Sequence, residues 1–166
     1  LALLAAAGGE LVVGLVLAYA LQTAFASFHL AGRLLDTQAG QSMATVMDPG
    51  SNQPSPVIAM LFTLVAGASF FAAEGHHQLL RVAAASLQAV PLGGLVALPH
   101  PGAWIAQTGA MALMALSVAG VAMVALFVTD LALAALTRSM PQMNVLVLGL
   151  QLKALVLLLG LAALAG

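Results

Sequence analysis

The sequence predicts an all-α, multi-helix subunit derived from a membrane protein, built of long, kinked helices and helical hairpins. Hydrophobic residues make up 63% of the chain and charged residues only 5%, whereas a soluble domain carries about 25% charged residues. The mean hydropathy is +1.11. No alternating pattern persists of the kind that a closed membrane barrel needs, so helices are the remaining way to pair backbone groups in lipid.

Composition and motifs argue against several classes of function. Nine charged residues with a net charge of −1 leave no basic patch for nucleic acid. The chain has no cysteine, which excludes disulfides, thiolate metal sites and thiol nucleophiles. Catalytic motifs, including a phosphate-binding glycine loop and HExxH, are absent. We therefore expect no enzyme chemistry and no cofactor. We also expect the chain to be an interior piece of a longer protein.

Polar breaks rich in proline and glycine divide the chain into apolar segments. The breaks are residues 48–56, 91–102 and 138–142, and the segments expected to be helical are residues 11–35, 57–73, 79–90, 104–136 and 144–165. About 20 apolar residues span a bilayer core, so the fourth segment is too long and the second and third are too short. This mismatch predicts helices that bend, re-enter, or stand partly outside the bilayer.

Two adjacent histidines in the sequence Glu74-Gly75-His76-His77 raise the question of a metal site. Neighbouring helical side chains point about 100° apart, and no further His or carboxylate follows three or four positions later. Zinc sites need three or four ligands. The pattern therefore favours a polar turn at the membrane boundary over a metal enzyme or metal transporter.

The end of the first apolar segment is polar. Arg33 and Asp36 stand three residues apart, so they can pair on one helical face, and the polar stretch 37–42 follows them. One interpretation is a frayed helix end that leads into a loop. The other is a segment at membrane depth that lines a watery passage, where irregular backbone is tolerated. The residues alone leave both open.

Asp130 and Lys153 are charges within long apolar segments, where they are costly and usually face a partner or a cavity. Arg138, Pro141 and Gln142 between the segments predict a tight hairpin turn, because proline is tolerated at the first position of a helix. Asp130 lies 11 residues before Pro141 and Lys153 lies 12 residues after it. Both are thus roughly 16–18 Å from the turn, which predicts an intramembrane ion pair.

The order of short motifs resembles the FliR family of flagellar export-gate proteins, which has SctT-type homologues in injectisomes. The motifs are AGRLLDTQAGQSMA at 31–44, MDPGS at 47–51, EGHH at 74–77, VPLG at 90–93, and DLAL through RSMPQMNV at 130–145. The resemblance runs essentially end to end. The chain departs from it at Ala39 and Gln41, which replace bulkier apolar residues, and at Asp130, where asparagine is usual.

The resemblance implies a non-catalytic subunit of the flagellar type III protein-export gate, in the bacterial inner membrane and the flagellar basal body. Implied partners are FliP and FliQ homologues in a helical hetero-oligomer, an FlhB homologue, membrane lipid and exported unfolded proteins. It also implies that residues 1–101 form a FliP-like part and residues 102–166 a FliQ-like helical hairpin.

The resemblance also implies a channel plug at about residues 36–47. The expected plug or pore-lining residues are Gln38, Ala39, Gly40, Gln41, Ser42 and Met43. Two alternatives stay open, an injectisome homologue and a polytopic membrane transporter. The Gly-His-His sequence favours the flagellar branch, and a secondary transporter needs repeats with matching broken helices, which the sequence does not display.

Overall fold

The computed structural model describes residues 2–41, 45–47, 52–89, 100–140 and 145–165. The elements in these residues are α1 (Ala2–Ala39), β1 (Thr45–Met47), β2 (Pro54–Pro56), α2 (Val57–Ala72), α3 (Gly75–Ala89), α4 (Pro101–Ser139) and α5 (Val145–Ala165). Helices account for most of the described residues, and the predicted all-α class is confirmed.

Among the described residues, two helices are long and apolar enough to cross a membrane. They contribute the stretches Ala6–Ala39 and Pro101–Ser139, of 34 and 39 residues. The helices α2 and α3 meet at a bend of 70° and make a third span if they are taken together. The uneven segment lengths of the sequence thus correspond to very long helices and to one broken helix pair.

The break between α2 and α3 is shorter than the polar stretch that begins at Glu74 in the sequence. Glu74 has a positive φ of 54°, and its amide donates to the Phe71 carbonyl at 3.1 Å. A Cβ on Gly75 would lie 2.5 Å from the Phe70 ring, so a larger residue here would have to displace that ring. Both histidines of the motif begin α3 rather than occupy a loop.

A two-stranded antiparallel ribbon joins the chain between α1 and α2. Thr45 pairs with Pro56, and Met47 pairs with Pro54. Each strand has three residues, which is too short for an alternating pattern to emerge from the sequence. Proline also cannot donate to a strand ladder, so this element was not predicted.

The chain divides by its internal contacts into two compact units. Unit 1 comprises Leu1–Ser27 and Thr63–Leu113. Within it, Gln107 Nε2 donates to Thr23 Oγ1 at 3.0 Å, and the Tyr19 hydroxyl lies 3.0 Å from Thr108 Oγ1. These polar contacts join α1 to α4 in unit 1.

Unit 2 comprises Phe28–Phe62 and Met114–Gly166. Its hydrophobic core takes buried side chains from four helices: Ala31, Leu35, Ala39, Ile58, Phe62, Ala115, Ala119, Ala122, Leu126 and Leu157. Many of them are alanines, and small side chains let helix backbones approach closely. The predicted division at residue 101 concerns likeness to FliP and FliQ and stays a prediction.

Candidate functional site

The polar stretch after residue 36 is the last turn of α1 followed by a defined helix cap. Gly40 has a φ of 74°, its amide donates to the Thr37 carbonyl at 3.2 Å, and the Gln41 amide donates to the Asp36 carbonyl at 3.0 Å. This pair of bonds is a Schellman motif, in which a left-handed residue closes the helix. The end of α1 is therefore closed by a regular cap rather than frayed.

Asp36 caps the start of the next helix. Its carboxylate is fully buried and accepts from the Ala59 amide at 3.0 Å and from the Ile58 amide at 3.4 Å. The residue before α2 is Pro56, whose side chain has no oxygen that could serve as the usual N-cap. Asp36 supplies that missing acceptor from α1.

Arg33 and Asp36 do not pair in the structure, although their spacing on α1 would allow it. Both Asp36 oxygens face backbone amides of α2, whereas the Arg33 side chain is exposed on α1. A buried carboxylate at a helix N-terminus is stabilised by the unpaired amides and by the helix dipole. The tertiary contact therefore replaces the local pair that three-residue spacing allowed.

Gly32 lets α1 and α2 meet backbone to backbone. A Cβ at this position would lie 2.4 Å from the Ala59 Cα and 2.9 Å from the Ile58 carbonyl oxygen. Both neighbouring atoms belong to the backbone, so no side-chain rotation can relieve the contact. The close approach brings Asp36, one helical turn further along α1, within reach of the amides that it caps.

Lys153 and Asp130 are in contact in the structure. Lys153 Nζ lies 2.6 Å from Asp130 Oδ1, and the two side chains are 17% and 43% exposed, respectively. The same ammonium donates to the Gln38 carbonyl oxygen at 3.1 Å. The Gln38 side-chain amide donates in turn to the Met123 carbonyl oxygen at 3.0 Å.

The contacts between α4 and α5 run antiparallel. Asp130 meets Lys153, and a Cβ on Gly149 would lie 3.2 Å from Leu133 Cδ1, so later residues of α4 meet earlier residues of α5. Arg138 is exposed in the last turn of α4. The other two residues of the predicted hairpin turn, Pro141 and Gln142, lie outside the described residues.

The predicted plug residues differ in their surroundings. Gln38 and Gln41 are half-buried, Gly40 is exposed, and Ala39 is fully buried. Ala39 belongs to the hydrophobic core of unit 2, so it packs helices together here and its predicted pore-lining role is not supported by this arrangement. Ser42 and Met43 lie outside the described residues.

The histidine motif forms a small polar cluster in unit 1. His77 Nδ1 lies 3.6 Å from Glu74 Oε2, and the rings of His76 and His77 are 4.1 Å apart. Within the described ranges, no group of three or more His, Cys, Asp or Glu residues is placed to hold a metal ion.

Residues 1–166 match the family described as bacterial export proteins, family 1. The chain belongs to this family. It is 31% identical over 150 residues to the flagellar biosynthetic protein FliR of Escherichia coli strain K12, covering 86% of the chain and 55% of that relative. It is 33% identical over 150 residues to FliR of Bacillus subtilis strain 168, covering 87% of the chain and 57% of that relative.

This bacterial export protein also has relatives with names from secretion systems. The secretion system apparatus protein SsaT of Salmonella typhimurium strain LT2 is 27% identical over 155 residues, covering 92% of the chain and 60% of that relative. The chain thus spans little more than half the length of the curated relatives it matches. Together with the long apolar helices, the family indicates a membrane location.

Two contacts of this bacterial export protein were not predicted from its sequence. The Asp36 cap joins residues more than twenty positions apart, and the Lys153 contact with Gln38 joins positions 115 apart. Spacing within one helix carries no signal for either contact. The position of Lys153 in an apolar segment was the one available clue, since such a charge needs partners.

Proposed function

We propose that the chain is a non-catalytic part of a subunit of the flagellar type III protein-export gate, acting in the bacterial inner membrane at the flagellar basal body. The subunit assembles with FliP and FliQ homologues into a helical hetero-oligomer, with an FlhB homologue as a further partner. Unfolded flagellar proteins pass through the channel that the oligomer encloses. The observation that carries this proposal is the family match over residues 1–166.

The apolar surface of the chain supports a role within a membrane assembly. Large side chains stay exposed along both long helices, among them Leu11, Leu15, Ile105, Leu113 and Val121. Exposed apolar area of this extent marks surfaces that contact lipid or other subunits. The same helices are long enough to extend beyond a bilayer, as a subunit of a gate that stands partly outside the membrane requires.

The segment after α1 is proposed as the plug of the closed channel. Gly40 and Gln41 are the first residues of this segment, and Ser42 and Met43 follow them in the sequence. Contacts of Asp36, Gln38 and the buried Ala39 with other helices hold the last turns of α1 in place. We call these three residues the base of the plug. A short segment attached to a well-packed helix end can block a channel, and the segment can move aside without unfolding the subunit.

The flagellar branch is favoured over the injectisome branch and over a secondary transporter. The two flagellar relatives are 31% and 33% identical to the chain, whereas the secretion-system relative SsaT is 27% identical. The Gly75-His76-His77 sequence supports the same branch. Membership in an export family favours protein export over small-molecule transport.

Co-purification tests this proposal. The full-length protein, tagged and co-expressed with FliP and FliQ homologues of a flagellated bacterium, is expected to leave detergent-solubilised membranes in one stable hetero-oligomer. Native mass spectrometry gives the composition of that particle. A protein that elutes alone or as a homodimer under the same conditions contradicts the proposal and favours a transporter.

A further inference from the structure

The outward surface of α2 in unit 1 is mainly apolar. Leu64, Val65 and Phe71 are each more than half exposed, and α2 contains no charged residue. Apolar side chains on a helix without charges are suited to the acyl chains of a bilayer. This surface therefore agrees with the membrane location that the family and the long helices indicate.

The exposed surface changes in α3, which turns 70° away from α2. No residue of α3 is buried. Leu80 and Leu87 are 66% and 55% exposed and lie seven residues apart, so they form one row along the helix. Arg81 and Gln88, each one position later, are also exposed and form a second row about 100° further around. An apolar row and a polar row thus lie side by side on α3.

Aromatic and polar side chains lie close to the end of α2. The Phe70 ring, near that end, packs against the Phe25 ring of α1 with centroids 5.7 Å apart. Tyr19 is six residues from Phe25, about 9 Å along α1, and its ring packs against Trp104 at 4.7 Å. Glu74 stands in the turn directly after α2. Tyrosine and tryptophan are enriched at membrane–water interfaces, so the end of α2 has the surroundings of such an interface.

Arg81 is a cation for which a lipid phosphate is the complementary group. It is exposed, and in the part of the chain that the structure describes it takes part in no ion pair. A guanidinium can donate two parallel hydrogen bonds to phosphate oxygens. Its long stem can also cover apolar surface while the charged group stays in water. Arg81 and the leucine row beside it therefore fit the two layers at the edge of a bilayer.

We propose that α3 lies flat in the headgroup layer of the membrane, with Leu80 and Leu87 among the upper acyl chains and Arg81 bound to lipid phosphate. An amphipathic helix in the plane of the interface has this arrangement. A phospholipid bilayer supplies both partners together, acyl chains for the leucines and phosphate for the guanidinium. In this position α3 is a lipid-binding surface and not the second half of a broken span. The inference deepens the proposed function and rests on its membrane location.

The test measures the depth of α3 in lipid. The full-length protein, without other cysteines, is placed in nanodiscs of phosphatidylcholine and phosphatidylglycerol, both alone and with FliP and FliQ homologues. A fluorescent maleimide is attached in turn at His77→Cys, Leu80→Cys, Leu87→Cys and Gln88→Cys. A nitroxide near the lipid headgroup is expected to quench positions 80 and 87 more strongly than 77 and 88. Iodide in the water is expected to give the reverse order.

The phosphate contact of Arg81 is measured with the label at position 80. Quenching by nitroxide-labelled phosphatidylglycerol is divided by quenching by nitroxide-labelled phosphatidylcholine. Arg81→Gln is expected to lower this ratio about fivefold, the scale of one cation at an anionic membrane surface, and Arg81→Lys is expected to keep it. The matched control Gln88→Ala removes a neutral side chain from the same row and is expected to leave the ratio unchanged.

Each alternative position of α3 gives a different result. A steady increase in depth from position 77 to position 88 means that α3 continues a span, and strong iodide quenching at all four positions means that it lies in water. Loss of lipid quenching on assembly with the FliP and FliQ homologues means that a subunit covers the leucine row. Each of these results overturns the inference, as does an unchanged lipid ratio in Arg81→Gln. Failure to join the complex contradicts the proposed function instead, because the protein alone in nanodiscs still reports the depth of α3.

Discussion

Asp36 shows how one buried carboxylate replaces a helix cap that the local sequence cannot provide. Its two oxygens accept from the Ile58 and Ala59 amides at the start of α2, directly after Pro56. Removal of an N-cap acceptor costs about 0.5–2 kcal/mol, and buried amides without partners add to that cost. The carboxylate is therefore a stability element of the α1–α2 junction.

We predict that Asp36→Ala lowers the free energy of unfolding by about 1–3 kcal/mol, because two buried amides lose their acceptor. Asp36→Asn keeps one oxygen acceptor of similar shape and is expected to recover much of the loss. The thermal unfolding midpoint of the protein purified in detergent measures both. An Asp36→Ala midpoint equal to that of the wild type would contradict the cap.

Gly32 provides a second prediction at the scale of a residue. Its added Cβ would lie 2.4 Å from the Ala59 Cα, and the two backbones must separate to admit it. Forcing extra atoms into a packed site costs typically about 1–3 kcal/mol, and the shift also lengthens the Asp36 cap. Gly32→Ala is therefore expected to lower the thermal midpoint.

The matched control for this change is Gly14→Ala in the same helix. Nothing lies within 4 Å of a Cβ built on Gly14, and alanine favours a helix over glycine by about 1 kcal/mol. This variant is expected to be as stable as the wild type or more so. A Gly32→Ala protein as stable as Gly14→Ala would show that α1 and α2 do not meet as described.

At the scale of elements, the apolar segments predicted the helices well but not their ends. The apolar segment 11–35 corresponds to the longer helix Ala2–Ala39. Its end lies later because polar Thr37 and Gln38 do not stop a helix, whereas the glycine at position 40 does. The hydroxyl of Thr37 even bonds back to the Leu34 carbonyl at 2.8 Å. Composition marks where a segment is apolar, whereas caps decide where a helix ends.

The contact of α4 with α5 followed from counting residues on either side of a proline. Equal depth in two antiparallel helices brought Asp130 opposite Lys153, and the structure places their charged atoms 2.6 Å apart. The second acceptor of Lys153, the Gln38 carbonyl, could not be predicted. It depends on a third helix whose distance in sequence carries no information about its packing.

A double-mutant cycle can measure the coupling between Lys153 and Asp130. Asp130→Asn and Lys153→Met are each expected to reduce assembly of the complex, and the double variant is expected to recover part of the loss. Residues in one ion-pair network couple by about 0.5–3 kcal/mol. Because Lys153 has two acceptors, its variant is expected to be the more impaired of the two single changes.

The yield of co-purified complex gives the four corners of the cycle. Asparagine at position 130 keeps the shape of the side chain, so the first change removes charge with little change in packing. A double variant whose defect equals the sum of the two single defects would show that the pair contributes no coupling. That outcome would leave Asp130 and Lys153 as neighbours without mutual stabilisation.

At the scale of the whole molecule, the chain exposes far more apolar surface than a water-soluble protein of its size. Its core in unit 2 is made mostly of alanines and leucines, while many large side chains of the long helices point outwards. Lipid and neighbouring subunits are the surroundings that satisfy such a surface. The exposed apolar surface therefore fits the membrane location that the family and the long helices indicate.

Export of flagellar proteins tests the central claim most directly. A flagellated bacterium that lacks its own FliR, but makes matching FliP and FliQ homologues, receives the full-length protein. The measurement is the amount of filament protein secreted into the medium. We predict that secretion is restored by the wild-type protein and reduced by Gly32→Ala, with Gly14→Ala as active as the wild type. No secretion from a strain that contains the wild-type protein in its membranes would contradict the account.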